Sequence, residues 1–511
     1  MTFSVDFKQH SMQVLHHALS AYRATPEDLA RQCIQLQAST EASAKAWVSF
    51  DGEKLLAAAR AAAVRLGSGA ALRPLEAMPV AVKDIFNTAD FPTQMGSPLW
   101  AGFTPGNDAR AVFNLKRAGA LVPGKTVTAE FAVHTLGKTL NPWAAERTPG
   151  TSSSGSAVAV ALGVVPAALG TQTAGSIIRP ASFCGVWGMK PSFGLIPRTG
   201  MLKTTDSLDT VGFFTGHAAD LTTVFDALRV HGRDYPMSDR AFTDVARQSA
   251  PSSRPWRVAV VRPHVWQHAP EHAKLALSQW LQTLQADPRF DVVDTTLPED
   301  MAECHPLHAT IYNRALAYYF KEAFNKAELV SPVMNALIVA GQQISPASYS
   351  AALERQVELA RLMDRFMRGF DVLVTLSTAG EAPLRHVEER PDSALMWTLT
   401  QLPSINAPVF RSPDRGAVAG ALGAGQGLPY GLQLVARRYN DPLLLQFVHE
   451  AVARGHLPAS SFEQGYGDAA LNTALNMAPN ATPNATPNAA PNAAPNAALA
   501  AAAPNAELTL A

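Results

Sequence analysis

Residues 148–178 read TPGTSSSGSAVAVALGVVPAALGTQTAGSII, a stretch with no charged residue between Arg147 and Arg179. It is rich in Ser, Gly, Thr and Ala. Its most apolar part, residues 157–170, is interrupted by Gly163 and Pro166 and falls short of the roughly 20 residues a membrane-spanning helix needs. A chain that buries so much hydroxyl and backbone must satisfy it with hydrogen bonds inside the protein. Small, polar and uncharged is the composition of a packed site. On composition alone, a tightly packed structural loop and helix fits equally well.

Working outward, the pattern alternates between helical and extended. Upstream, Thr25-Pro26-Glu27-Asp28 gives an N-cap, a proline at the first helical position and acid in the first turn, which predicts a helix over 25–40. An Ala-rich helix is expected over 53–66 and another over 109–118, stopping at Gly119. Met78-Pro79-Val80-Ala81-Val82 reads as a short buried strand ending at Lys83-Asp84, and Ala120-Leu121-Val122 as strand-like. Downstream, strands are expected at 256–261, 290–293, 370–376 and 431–436, with helices at 271–286 and 346–369. Strands recurring with helices between them argue for an α/β fold on a central sheet.

The 511-residue chain is 47% apolar and 16% charged, which excludes disorder for most of its length. Lys+Arg and Asp+Glu are equal at 42 each, with a mean hydropathy of +0.01, so nothing points to a nucleic-acid partner. Cys33, Cys184 and Cys304 are too few and too scattered for a disulfide framework. The N-terminus lacks the apolar run of a secretory signal. The sequence therefore reads as a soluble cytoplasmic protein without a membrane role. One domain is expected over residues 1–472. Residues 473–511 form a tail whose Ala-Pro-Asn repeats at 478–506 cannot pack and are expected to be disordered. The Asn-x-Thr matches at Asn480 and Asn484 are accidents of that repeat.

Several local motifs fail their context tests. Gly119 to Thr126 matches G-x-x-x-x-G-K-T, but a helix ends where a phosphate loop needs a strand, and Pro123 removes an amide donor. His264, His268 and His272 are separated by Pro263 and Pro270 from any continuous helix. With Cys304, His305 and His308 they read as solvated or locally paired groups, and no metal site is expected. No serine sits in a G-x-S-x-G elbow or three residues before a lysine.

What remains is one lysine and a set of serines. Lys83 ends an apolar strand, where desolvation would lower its pKa and make it a competent base, although a lysine at a strand end is more often a surface residue. Residues 150–156 (GTSSSGS) offer hydroxyls on a tight loop; alone, such a loop is more often a turn. Residues 170–176 (GTQTAGS) place small residues before Ser176, so that consecutive backbone N–H groups can point into one concavity, as an oxyanion requires.

Together these pieces resemble the amidase signature family of Ser-Ser-Lys hydrolases. The resemblance runs from the helix near Thr25 to about Gly455. It is carried by Pro79 to Asp84, Gly124-Lys125-Thr126 with Glu130-Phe131-Ala132, Asn141-Pro142-Trp143, Thr148 to Ala157, and Gly170 to Gly185. Later echoes are Gly188-Met189-Lys190-Pro191, Trp397 with Leu402-Pro403, and Gly427 to Gln433. The resemblance implies Ser176 as the acyl-accepting nucleophile and Ser152, after a cis peptide bond, as the bridging serine. It implies Lys83 as the general base, and Thr173, Ala174 and Gly175, with Ser176 itself, as the oxyanion-binding backbone. The family's commoner pattern has glycine where Thr151, Ser154 and Ala174 stand, an acid at Gln172 and an arginine at Ile178. Losing both charges together leaves no unpaired buried ion, and Arg179 stands one residue beyond.

The resemblance further implies one large α/β domain with a central mixed twisted sheet covered by helices. The expected activity is hydrolysis of a small-molecule amide to carboxylate and ammonia or amine, with no metal or organic cofactor and with room for a homodimer. Three other readings stay open: the A-type component of a glutamyl-tRNA amidotransferase, a non-catalytic binding protein on the same scaffold, and a nucleotide binder. The acyl pocket is expected in segments 200–250 and 300–345. There Tyr312, Tyr318, Tyr319 and Phe320 read as core more than as lining.

Overall fold

The uncharged stretch folds as loop, helix, strand and turn at the centre of the molecule, and the rest of the chain is built around it. A computed structural model of the protein describes residues 3–413 and 427–463. The proposed tail and its repeats, the boundary at 472 and the two Asn-x-Thr sites lie outside these residues. The strands are β1 (Trp47–Phe50), β2 (Val80–Lys83), β3 (Gly124–Thr126), β4 (Ala167–Gln172), β5 (Trp187–Lys190), β6 (Thr210–Thr215), β7 (Trp256–Val260), β8 (Phe290–Asp294), β9 (Val372–Leu376), β10 (Ser404–Arg411) and β11 (Pro429–Val435). They form a single mixed sheet in the order β1-β3-β2-β4-β6-β5-β10-β11-β9-β7-β8. β2 runs parallel to β3 and β4, and β7 parallel to β8 and β9, while the other pairs are antiparallel.

Most of the expected elements are present. Thr25 caps the helix Pro26–Ala44 in a reciprocal capping box with Asp28, whose carboxylate accepts from the Thr25 N–H. The helices Gly52–Gly67, Arg110–Arg117 and Glu271–Gln285 match their expected spans, and the long helix Pro346–Phe366 gives way to a 3-10 turn before Gly369. The extended run at 120–122 is a correction. It makes only an isolated parallel bridge between Leu121 and Pro79, and the strand forms beyond Pro123, where Lys125 pairs with Val82. Tyr312 and Phe320 are core, as expected, but Tyr318 is 69% exposed and Tyr319 donates its hydroxyl to Asp206 at the surface. Among the described residues no helix is long and apolar enough to cross a membrane.

The central strands are buried along their whole length, because helices cover both faces of the sheet. The helix Ser154–Ala161 (SGSAVAVA) lies against β2, β3, β4 and β6, and every one of its residues is buried. Only small side chains permit that approach. Ser156 returns its hydroxyl to the Leu169 carbonyl at 2.7 Å, so the helix costs the sheet no unsatisfied oxygen at this point.

Gly150 sets how near the serine loop comes to the turn that follows β4. Its φ is +84°, and a Cβ there would lie 2.6 Å from Pro180 Cα in the helix Ile178–Cys184. Gly150→Ala therefore meets both left-handed strain and backbone overlap, at a cost of about 2–4 kcal/mol. We expect a clearly lowered thermal unfolding midpoint by calorimetry; an unchanged midpoint would show that the loop is not packed this tightly.

Candidate active site

Among the described residues three lysines are fully buried, and their surroundings differ. Lys125, on β3, lies 3.2 Å from Asp84 and donates to the Phe86 carbonyl and the Thr93 hydroxyl, both at 2.8 Å. Burial lowers its pKa to about 8, with Asp84 opposing. It is a structural cation in a strand, not the lysine of a phosphate loop. Lys190, on β5, donates to the backbone carbonyls of Pro191 and Leu402. Lys83, at the end of β2, meets only hydroxyls: Ser152 Oγ at 2.8 Å, and Ser153 Oγ and Thr171 Oγ1 at 2.9 Å. Burial holds its pKa well below the usual lysine range, and the more distant Asp209 only partly offsets this.

The hydroxyls around Lys83 are not equivalent. Ser153 sends its proton to the Thr171 carbonyl at 3.1 Å and also faces the Thr171 N–H at 3.3 Å. Ser152 makes no other hydrogen bond among the described residues, so its proton is free for the lone pair of a neutral amine. The cis peptide bond expected before Ser152 is absent: the described residues contain none. Thr151, the β-branched residue of this loop, is buried and donates its hydroxyl to Glu389 at 3.2 Å.

Ser176 stands half-exposed on the turn between β4 and the helix Ile178–Cys184. Its hydroxyl makes no hydrogen bond to Ser152, so the structure joins Lys83 to Ser152 and leaves Ser176 on the adjoining turn. The two segments meet closely: a Cβ on Gly150 would lie 2.6 Å from Pro180 Cα, and on β4 a Cβ on Gly170 would lie 2.7 Å from Ile177 Cδ1 and 3.0 Å from Ser153 Oγ. Among the described residues, the backbone N–H groups of Thr173, Ala174, Gly175 and Ser176 donate to no protein acceptor. Four consecutive N–H groups are thus left available to an acceptor from outside the protein.

The two uncharged departures prove to be a working pair of their own. Gln172 Oε1 accepts from the N–H groups of Ile177 (2.8 Å) and Ile178 (3.0 Å), and Gln172 Nε2 donates to Thr398 Oγ1 at 2.9 Å. Arg179 carries the local charge instead, 2.8 Å from both Glu389 and Asp392, with its guanidinium over Gly175. These carboxylates hold it firmly protonated.

A cavity of about 570 Å³ opens beside the cluster, lined by Thr148, Thr151, Arg179, His134, His305 and residues 385–392. Sequence reading missed the 381–395 segment that supplies most of this wall. It quoted Ser153 and Thr171 without giving them a role, and it missed Asp209, whose carboxylate accepts from Thr173, Thr204 and Thr205. The adjacency of Ser153 to Ser152 was a usable signal; Asp209 carried none. Among the described residues no group of three or more His, Cys, Asp or Glu is placed to hold a metal ion. His264 pairs with His305 and His272 with Glu381.

Comparison with known proteins fits this arrangement. The family model described as Amidase matches residues 28–445. The A-type component of glutamyl-tRNA(Gln) amidotransferase from Anaeromyxobacter sp. (strain K) is 32% identical over 86% of this chain and 94% of its own. A crystal structure of an amidase superposes with a TM-score of 0.75 at 26% identity, over 87% of this chain and 100% of that one. The peptide amidase of Stenotrophomonas maltophilia does so with a TM-score of 0.72 at 24% identity, over 87% and 97%. With a family match that spans the sheet, the lysine and both serine loops, this chain belongs to the Amidase family.

Proposed function

We propose that the protein hydrolyses a carboxylic amide through an acyl-enzyme on Ser176, with Ser152 and Lys83 passing the proton. The observation that carries this reading is the buried amine of Lys83, 2.8 Å from the otherwise unengaged hydroxyl of Ser152. An amine kept neutral by burial is a base at ordinary pH. As Ser176 Oγ forms its bond to the carbonyl carbon, its proton passes to Ser152, and the proton of Ser152 passes to Lys83. The carbonyl oxygen becomes an oxyanion facing the N–H groups of residues 173–176. On collapse the C–N bond breaks, and the leaving nitrogen takes the proton back along the same relay. Water then adds to the ester carbonyl, gives its proton to the relay, and releases carboxylate and a restored Ser176. The substrate we assign is a small-molecule amide whose acyl part enters the cavity bounded by residues 385–392.

A second reading has support from relatives. The A-type components of glutamyl-tRNA(Gln) amidotransferases are 32% and 29% identical to this chain, so the same relay could serve a glutamine amide within an assembly. Purification from the native source separates the two: a lone chain active on simple amides supports the first reading, and tRNA-dependent activity with co-purifying partner chains supports the second.

Ser176→Ala is expected to abolish turnover and labelling by a fluorophosphonate, which reacts at an activated serine. An unlabelled wild-type Ser176 would favour a binding protein on this scaffold. Lys83→Ala is expected to lower kcat near neutral pH by about 10²–10⁴-fold. In the wild type, only the neutral form of Lys83 is competent, so kcat/KM rises as pH rises through its depressed pKa. The acidic limb should therefore lie well below 10.5 and vanish in Lys83→Ala; a limb that persists in Lys83→Ala would exclude Lys83 as the base.

A further inference from the structure

Three successive carbonyls of the turn after β4 are each engaged, the first two by distant elements and the third by the first turn of the following helix. The Thr173 oxygen accepts from His308 Nε2 at 2.8 Å, the Ala174 oxygen from Thr398 Oγ1 at 2.8 Å, and the Gly175 oxygen from the Arg179 N–H at 2.8 Å. In a trans peptide, the C=O of one residue and the N–H of the next point in opposite directions. Fixing the carbonyls of 173, 174 and 175 therefore fixes the directions of the N–H groups of 174, 175 and 176, each across its own peptide. Those are N–H groups that no acceptor among the described residues uses.

We propose that Thr398 and His308 are positioning residues for the oxyanion-binding turn, with Gln172 setting the direction in which Thr398 donates. This rests on the reading of Ser176 as the nucleophile and extends it to side chains outside the reacting set. The Thr398 hydroxyl has one proton and two carbonyls in range, Ala174 at 2.8 Å and Ala394 at 3.2 Å; the shorter contact takes it. Gln172 Nε2 donates to the same oxygen and occupies one of its lone pairs, which holds the hydroxyl in place and leaves its proton to the nearer carbonyl, Ala174. A carboxylate at position 172 could accept from Ile177 and Ile178 but could not donate to Thr398. The glutamine therefore does here what an acid cannot. At Thr173, a carbonyl only accepts, so His308 must carry its proton on Nε2. Burial brings its pKa down to about 4, which keeps it a neutral donor at ordinary pH.

The test compares variants of equal shape, reading the rate at which a fluorophosphonate labels Ser176, so that no substrate need be known. Thr398→Val keeps the volume and loses the hydroxyl; labelling should slow by about 10–100-fold, somewhat less than the loss of an oxyanion donor itself. Thr398→Ser restores the donor and should label within about threefold of wild type. If Thr398→Val does not fold, His308→Leu against His308→Gln makes the same comparison at the neighbouring carbonyl. Ser176→Ala serves as the control for the underlying reading: persistent labelling in it overturns that reading. Wild-type labelling of Thr398→Val, with none in Ser176→Ala, overturns the positioning role alone. A slow Thr398→Val that Thr398→Ser does not rescue also overturns it, since packing would then explain the loss.

Discussion

An amine taken out of water with only hydroxyls as neighbours is the constraint on which the structure turns. A charged ammonium in that place would lack a counter-ion in contact, and the cheaper solution is to give up the proton. Lys125 shows the alternative on the next strand of the sheet. There Asp84 stands 3.2 Å from the ammonium and backbone carbonyls complete its coordination, so the lysine stabilises the fold as a cation. The two neighbouring lysines thus differ in that Lys125 has a carboxylate in contact and Lys83 has only hydroxyls. That difference is decided by what the neighbouring loops bring to each strand end.

Bringing hydroxyls to Lys83 requires two loops to converge where backbone approaches backbone. The uncharged segment meets this with side chains of minimal volume. Gly150 lies against Pro180, and Gly170 against Ile177, so the serine loop and the turn after β4 touch without intervening bulk. The wholly buried helix Ser154–Ala161 fills the space behind them. Charge is kept one layer away, where Arg179 meets Glu389 and Asp392 at the rim of the cavity. Buried ion pairs are costly unless well satisfied, and here the two carboxylates and the guanidinium are nearly all accounted for.

The exchange of a charged pair for Gln172 and Ile178 carries the same logic inward. A glutamine side chain can accept at one end and donate at the other, so it caps two amides of the following helix and still orients Thr398. Thr151 is a parallel case. Where a glycine would leave open space, its hydroxyl reaches Glu389 and ties the loop bearing Ser152 to the segment that also holds Arg179.

Periodicity and composition were enough to determine that this is an α/β protein, because runs such as 256–260 and 372–376 are largely apolar and rich in valine and alternate with helical segments. Motif and resemblance singled out Lys83, Ser152 and Ser176 as the candidate reacting set. Strands such as AALGTQ (167–172) were invisible because a strand buried on both faces and made of small residues shows no alternation. Tertiary structure alone decided which hydroxyls surround the amine, that the peptide before Ser152 is trans, and what holds the turn after β4. His308 and Thr398 reach that turn from 135 and 224 residues away in sequence. A hydrogen bond across such a distance leaves no local pattern; it depends on where the folded chain places the donor.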